Sequence, residues 1–165
     1  MSRFGKLAWL WLTALVVGVD LWTKHLAVTL VGFRERLEVI PGYLDWTHVY
    51  NKGAAFSLFA DQPGWQRWFF AVIAIGVSVA LVVWLKRLKP NETWLAVALA
   101  LVLGGALGNL HDRVLLGHVV DFILAHWQDR YYFPAFNLAD TAITIGAIML
   151  ALDMFIGKKS GDSEK

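Results

Sequence analysis

Four long apolar segments, separated by polar connections, dominate the pattern of hydrophobic and polar positions along this chain. They cover about residues 7–30, 68–85, 94–110 and 136–156. Each approaches the roughly 20 residues that an α-helix needs to cross about 30 Å of hydrocarbon. We therefore predict an all-α membrane protein in which four transmembrane helices form a single integral membrane domain over residues 1–165.

The first long connection between these segments differs from a plain loop. Turn residues at Pro41-Gly42 and around Gly53 enclose YLDWTHVY, whose aromatic and β-branched residues partly alternate with polar ones. This pattern is typical of strands. We predict a small antiparallel β-sheet over about residues 38–59, at the outer membrane surface. The last residues, about 157–165, are polar and are predicted to be disordered.

The basic residues predict how the chain is oriented in the membrane. They occur at the N-terminus, in the 86–93 connection and in the C-terminal tail. Four crossings place these three regions on one face, and the positive-inside rule makes that face cytoplasmic. The connections 31–67 and 111–135 then face outward. The net charge of +2 therefore reflects topology, and we predict no binding of nucleic acid.

The composition supports a membrane protein and excludes thiol chemistry. Hydrophobic residues make up 58% of the chain, whereas soluble domains contain about 45–50%. There is no cysteine, which excludes a thiol nucleophile and a thiolate metal site. The five histidines show neither HxxxH nor HExxH spacing, and we therefore predict no metal site.

Two aspartates lie in apolar surroundings. Asp121 interrupts the run VVDFIL, and Asp140 lies in the opening turns of the fourth apolar segment. Burying a charged side chain at the centre of a membrane helix costs about 2.5–3.5 kcal/mol, so such residues usually have a function or a partner. No crossing separates the two aspartates, and both are expected on the outer side.

Two carboxylates within a few ångströms of each other share a proton. One can then activate a water molecule while the other, protonated, polarises a peptide carbonyl. Two alternatives remain open at this point. The aspartates could be separate structural carboxylates, for example with Asp121 paired to Arg113, or they could serve a small proton- or ion-coupled membrane transporter.

Other polar residues are spaced so that they could support such a site. Asp20 and Lys24 are four residues apart on the first helix, as a structural ion pair or as a scaffold for the site. Asn137 lies one turn before Asp140 and could orient its carboxylate by hydrogen bonding.

Two further segments allow a close approach of other groups. The segment 51–57, NKGAAFS, could end a hairpin or hold an extended peptide by strand addition. Gly104 and Gly108 have the GxxxG spacing that lets a neighbouring helix pack closely.

In their order along the chain, these motifs resemble the bacterial lipoprotein signal peptidases (signal peptidase II). The matching segments are DLWTK at 20–24, NKGAAFS at 51–57, GGALGNLHDR at 104–113, VVDFI at 119–123 and FNLADTAI at 136–143. The resemblance implies an intramembrane aspartic endopeptidase whose catalytic residues are Asp121 and Asp140. It also implies eight substrate-binding or supporting residues, namely Asp20, Lys24, Asn51, Gly53, Gly105, Asn109, Arg113 and Asn137.

The same resemblance implies a substrate and a location. The substrate is a prolipoprotein whose cysteine carries diacylglycerol, and cleavage just before that cysteine removes the signal peptide. The resemblance implies no metal or organic cofactor, inhibition by globomycin-type cyclic peptides, and a β-cradle on the periplasmic side. We expect a monomer in the bacterial cytoplasmic (inner) membrane, in contact with membrane lipids and with the diacylglyceryl-prolipoprotein.

Overall fold

The computed structural model of this chain describes residues 5–53 and 64–161. This part contains four helices that are long and apolar enough to cross a membrane. They are α1 (Leu10–Leu30), α2 (Trp65–Arg87), α3 (Thr93–Leu115) and α4 (Leu138–Gly161). A short 3₁₀ turn, Gly5–Trp9, precedes α1. The predicted architecture of four helices is confirmed.

Two helices end later than the sequence pattern predicts. We expected the third helix to end near residue 110, but α3 continues to Leu115. It continues because its polar residues Asn109 and Asp112 find buried partners on neighbouring elements. The fourth helix extends through Gly161, so residues 157–161 are helical where we predicted disorder.

Helix α3 is the centre of the bundle and packs against the other three helices. Half of its membrane-spanning length is buried inside the protein, against 11–22% for each of the others. The apolar core lies mainly between α2 and α3, where Leu85 and Leu99 are fully buried. A Cβ atom added at Gly104 would lie 2.7 Å from Val16 Cβ on α1. The GxxxG spacing therefore serves close helix packing within the chain.

Four strands form one antiparallel sheet in the order β1-β2-β3-β4. They are β1 (Arg36–Ile40), β2 (Leu44–Asn51), β3 (Val119–Trp127) and β4 (Tyr131–Tyr132). The predicted sheet over 38–59 is confirmed at β1 and β2, and its residues 54–59 lie outside the described part of the chain.

Strands β3 and β4 were not predicted, and β3 is the strand that carries Asp121. Its register pairs Val49 with Asp121 and Tyr50 with Val120. The first half of β3 is buried on both faces, so VVDFIL reads as a continuous apolar run without the alternation that marks a half-exposed strand.

The sheet joins the two connections that we expected on one side of the membrane. Strand β2 comes from the connection between α1 and α2, and β3 comes from the connection between α3 and α4. At the opposite end, Lys6 Nζ donates a 2.7 Å hydrogen bond to Thr93 Oγ1, beside the connection between α2 and α3. The α1–α2 and α3–α4 connections thus lie together at one end of the bundle, and the N-terminus lies beside the α2–α3 connection at the other, as expected for four membrane crossings.

Candidate active site

Polar side chains from five elements converge where the sheet meets the helix bundle. Asp121 lies on β3 and Asp140 lies in the first turn of α4. The structure brings all the predicted supporting residues to this region: Asp20 and Lys24 from α1, Asn51 and Gly53 from the end of β2, Gly105, Asn109 and Arg113 from α3, and Asn137 from the start of α4.

Asn137 and Asp140 form a reciprocal cap at the start of α4. The Asp140 backbone N–H donates to Asn137 Oδ1 over 2.9 Å, and the Asn137 backbone N–H donates to Asp140 Oδ2 over 3.3 Å. This is the geometry of a capping box, with an asparagine and an aspartate in place of the usual residues. Asn109 Nδ2 donates to the other oxygen, Asp140 Oδ1, over 2.8 Å. Both oxygens of Asp140 therefore accept a hydrogen bond, and the expected hydrogen bond from Asn137 is one of the two.

Asp121 is held by two side-chain amides. Asn137 Nδ2 donates to Asp121 Oδ1 over 2.7 Å, and Asn51 Nδ2 donates to Asp121 Oδ2 over 3.1 Å. The residue is only 2% exposed. Burial, together with the nearby charge of Asp140, raises the pKa of Asp121 to about 7, although both amides oppose the rise.

One residue, Asn137, therefore connects the two carboxylates. Asn137 binds Asp140 through its backbone N–H and its side-chain oxygen, and it binds Asp121 through its side-chain nitrogen. An amide cannot take up or release a proton at neutral pH, so it fixes both groups without competing for their protons. Two carboxyls connected through one residue are suited to acid–base chemistry in which they take opposite roles.

A buried lysine lies beneath this pair. Lys24 Nζ contacts Asp20 Oδ2 at 2.8 Å, Asp112 Oδ2 at 2.9 Å and Asn109 Oδ1 at 3.0 Å. An ammonium group has three N–H donors, and here each has an acceptor. We call these four residues, all of them buried, the lysine cluster. The predicted pairing of Asp20 with Lys24 is confirmed, and the pair also belongs to the surroundings of the site.

Arg113 connects α3 to the end of β2. Its guanidinium donates to the Gly53 carbonyl over 3.1 Å and to the Asn109 carbonyl over 3.3 Å, and it lies over the ring of Phe70. The Gly53 N–H in turn donates to Asn51 Oδ1 over 3.0 Å. The guanidinium thus binds backbone carbonyls, and the alternative in which it pairs with Asp121 is not observed. Residues 54–57 of the NKGAAFS motif lie outside the described part of the chain.

Gly105 lets α4 approach α3 next to the site. A Cβ atom at this position would lie 2.3 Å from the Ala139 carbonyl oxygen and 2.7 Å from Ile143 Cγ1. Contacts below 3.0 Å require a shift of the neighbouring atoms. A side chain at position 105 would therefore displace the first turn of α4, which carries Asp140.

Within the described residues, one group of side chains has the composition of a metal site. Asp45, His126 and Asp129 lie close together on the far part of the sheet. Asp45 Oδ1 contacts His126 Nε2 at 3.2 Å, whereas Asp129 Oδ1 contacts His126 Nδ1 at 3.4 Å. The two carboxylates thus contact opposite nitrogens of the same imidazole ring. That no metal is needed stays a prediction.

The fold and the site together define a multi-pass membrane protein with an enclosed acidic centre at one end of its helix bundle. A solved structure of a bacterial membrane enzyme, determined by the in meso method at 2.3 Å resolution, matches it with a TM-score of 0.82. That chain is 34% identical, and the match covers 93% of this chain and 90% of the other. A second bacterial membrane enzyme, solved at 1.9 Å, matches with a TM-score of 0.78 and 33% identity, covering 89% and 92% of the two chains.

The sequence comparison gives the family. The family model for signal peptidase (SPase) II matches residues 12–156. The lipoprotein signal peptidase of Pseudomonas putida is 66% identical over 161 residues, which cover 98% of this chain and 94% of that protein. The lipoprotein signal peptidase of Pseudomonas aeruginosa PAO1 is 64% identical over 163 residues, covering 99% and 96%. This chain belongs to the signal peptidase II family and is therefore a peptidase, which decides against the transporter alternative.

The sequence pattern had not assigned Asp112 to the site. Its carboxylate contacts Lys24 Nζ and accepts a hydrogen bond from the backbone N–H of Val120. The spacing did contain a clue, because residues three apart share one helix face and Asp112 follows Asn109 by three.

Proposed function

We propose that this chain is an aspartic endopeptidase that removes the signal peptide from diacylglyceryl-modified prolipoproteins by cleaving just before the lipidated cysteine. The family and the names of the relatives support the substrate class. The observation that carries the aspartic mechanism is that one residue, Asn137, is hydrogen-bonded to both carboxylates: its side-chain Nδ2 donates to Asp121 and its backbone N–H donates to Asp140. Asp121 and Asp140 are the proposed catalytic residues.

The raised pKa of Asp121 supports an assignment of roles. Asp121, whose pKa is raised to about 7, holds the proton and donates it to the oxygen of the scissile carbonyl. Asp140, ionised, takes a proton from water as the water oxygen attacks the carbonyl carbon. When the carbon–nitrogen bond breaks, Asp140 returns its proton to the leaving nitrogen, and the collapsing hydroxyl returns its proton to Asp121. Both carboxyls end in their starting states.

The position of the site fits a lipid-anchored peptide. The site lies where β3 meets the first turn of α4, at the sheet end of the bundle. A diacylglyceryl-cysteine places its acyl chains in the hydrocarbon and its peptide bond at the headgroups, which is the proposed depth of Asp121 and Asp140. Arg113 and Gly53 lie beside them and are proposed to bind the substrate. Globomycin-type cyclic peptides are proposed to inhibit by occupying the same place.

The proposed location is the bacterial inner membrane, with both termini in the cytoplasm and the site facing the periplasm or the cell exterior. The basic residues at the termini and in the 86–93 connection support this orientation. We propose that the protein acts as a monomer.

The test is cleavage of a diacylated prolipoprotein by purified Asp121→Asn and Asp140→Asn variants. Each substitution keeps the shape of the side chain and removes one acid–base group, so we expect turnover to fall by about 10²–10⁴-fold. Asp153→Asn, on the opposite half of α4, is the matched control and should retain wild-type activity. Thermal unfolding of each variant separates lost chemistry from lost folding. Wild-type cleavage by either site variant would show that the pair is not catalytic.

A further inference from the structure

The residues immediately before the two proposed catalytic aspartates are held in the same manner. The backbone N–H of Ala139, which precedes Asp140, donates to Asp20 Oδ1 over 2.9 Å. The backbone N–H of Val120, which precedes Asp121, donates to Asp112 Oδ2 over 3.2 Å. In both places a buried carboxylate from a membrane helix binds the chain one residue before a catalytic carboxylate.

A single cation connects these two carboxylates. Lys24 Nζ contacts Asp20 Oδ2 at 2.8 Å and Asp112 Oδ2 at 2.9 Å. Its third contact is Asn109 Oδ1 at 3.0 Å, and the Nδ2 of the same Asn109 donates to Asp140 Oδ1. The ammonium group is therefore linked to three places. Asp112 connects it to the strand that carries Asp121, Asp20 connects it to the helix turn that carries Asp140, and Asn109 connects it to the Asp140 carboxylate itself.

We propose that Asp112 is a positioning residue that sets the place of Asp121, as Asp20 does for Asp140, and that Lys24 fixes the distance between the two catalytic carboxylates by holding both. This inference rests on the proposed function, because it assigns a role around the same pair. It goes beyond that function by giving a reason for a buried ion cluster with two acids and one cation.

The charges of the lysine cluster argue against stability as its whole purpose. Three buried ionised groups cost desolvation energy, and apolar residues of similar size often serve stability equally well. One carboxylate would suffice to neutralise Lys24, and the second is the one that reaches Val120. The requirement that the second carboxylate meets is geometric, since it supplies an acceptor for a strand N–H next to Asp121.

The deciding experiment compares Asp112→Asn with Asp112→Glu in the full-length enzyme. Asparagine keeps an oxygen at the position that accepts from Lys24 and Val120 but loses the charge. Glutamate keeps the charge but displaces that oxygen by one methylene. If position matters, D112N retains more activity than D112E. We expect D112E to lose about 100-fold in kcat, the effect of misplacing a catalytic group by about 1 Å, with little change in KM. D112A lacks the oxygen altogether and gives the same comparison if glutamate prevents folding.

The rate–pH profile separates positioning from a purely structural role. A pair of acids that share a proton gives a bell-shaped rate–pH profile, whose two limbs report the two pKa values of the pair. In D112E or D112A we expect Asp121 and Asp140 to lie further apart. Their coupling is then weaker, so the two limbs should approach each other. A loss of folded enzyme lowers the rate equally at every pH and leaves the limbs in place. Equal or greater activity in D112E than in D112N, or an unchanged profile, would overturn the proposal.

The Asp121→Asn and Asp140→Asn enzymes are assayed in the same series, with Asp153→Asn as the control. If those two site variants cleave at the wild-type rate, it is the proposed function that fails. If they are inactive while both Asp112 variants behave as wild type, the catalytic pair stands and only the positioning role of Asp112 fails.

Discussion

A methyl group added at Gly105 is expected to reduce cleavage more strongly than it reduces stability. In Gly105→Ala, the new Cβ would lie 2.3 Å from the Ala139 carbonyl oxygen, whereas ordinary van der Waals contact begins at 3.4 Å. The atom it meets belongs to the backbone, so no side-chain rotation relieves the contact. The first turn of α4 must therefore move away from α3 by about 1 Å, a distance set by the shortfall in this contact.

The displaced turn is the one that carries Asp140. Its carboxylate would move away from Asn109 on α3 and from Asp121 on β3, and a misplacement of about 1 Å costs roughly 10²-fold in rate. Overpacking a helix contact costs about 1–3 kcal/mol, which the better helix propensity of alanine offsets by about 1 kcal/mol. We therefore expect a folded protein with a small loss of stability and a large loss of activity.

The assay measures initial cleavage rates of a diacylated prolipoprotein and thermal unfolding in the same detergent. Gly76→Ala on α2 is the matched control, because a Cβ there would meet nothing within 4 Å. It should leave cleavage unchanged and stabilise the helix by up to about 1 kcal/mol. Wild-type cleavage by Gly105→Ala would refute the argument that the separation of α3 and α4 positions Asp140.

Two further predictions concern charge. The pKa of Asp121 is raised from its ordinary 3.8 to about 7, so the folded protein binds the extra proton between these values, and this part of its stability is lost as the pH rises through 7. From acid to neutral pH, the free energy of unfolding of Asp121→Asn should therefore increase by up to roughly 4 kcal/mol relative to that of the wild type. If the free energies of unfolding of the two proteins changed in parallel across that range, this prediction would be contradicted. Lys24→Met leaves Asp20 and Asp112 buried without a cation and should cost about 3–5 kcal/mol in unfolding by SDS titration. The triple variant with Asp20→Asn and Asp112→Asn should recover most of that loss, and no recovery would count against charge imbalance as the cause.

Local patterns in the sequence were enough to predict the four helices and the candidate residues. Length and apolarity mark a membrane helix because the bilayer sets both. Asp121 and Asp140 could be identified as candidates because a carboxylate in an apolar run is costly to bury and usually has a function or a partner. The pairing of Asp20 with Lys24 followed from helix geometry alone, since residues four apart share a face.

What the sequence did not reveal depends on contacts between distant parts of the chain. The hydrogen bond between Asp20 and the Ala139 N–H joins residues that are 119 positions apart in the sequence, and the hydrogen bond between Asn51 and Asp121 joins residues that are 70 apart. No local pattern encodes such pairs. Strand β3 was missed for a related reason, because an apolar run buried on both faces does not alternate. The extension of α3 to Leu115 likewise depends on tertiary partners for its polar residues.

The long reach of the bond between Asp20 and Ala139 has a consequence for the biosynthesis of the enzyme. Segments of a growing chain are available in order from the N-terminus, and Asp140 and its cap Asn137 belong to the final apolar segment. Until that segment enters the membrane, Asp121 has no second acid, and Asp20 and Asn109 lack the groups they bind on α4. Under the proposed mechanism, a partly synthesised chain thus has no proteolytic centre, and the enzyme becomes competent only when its fourth helix is inserted.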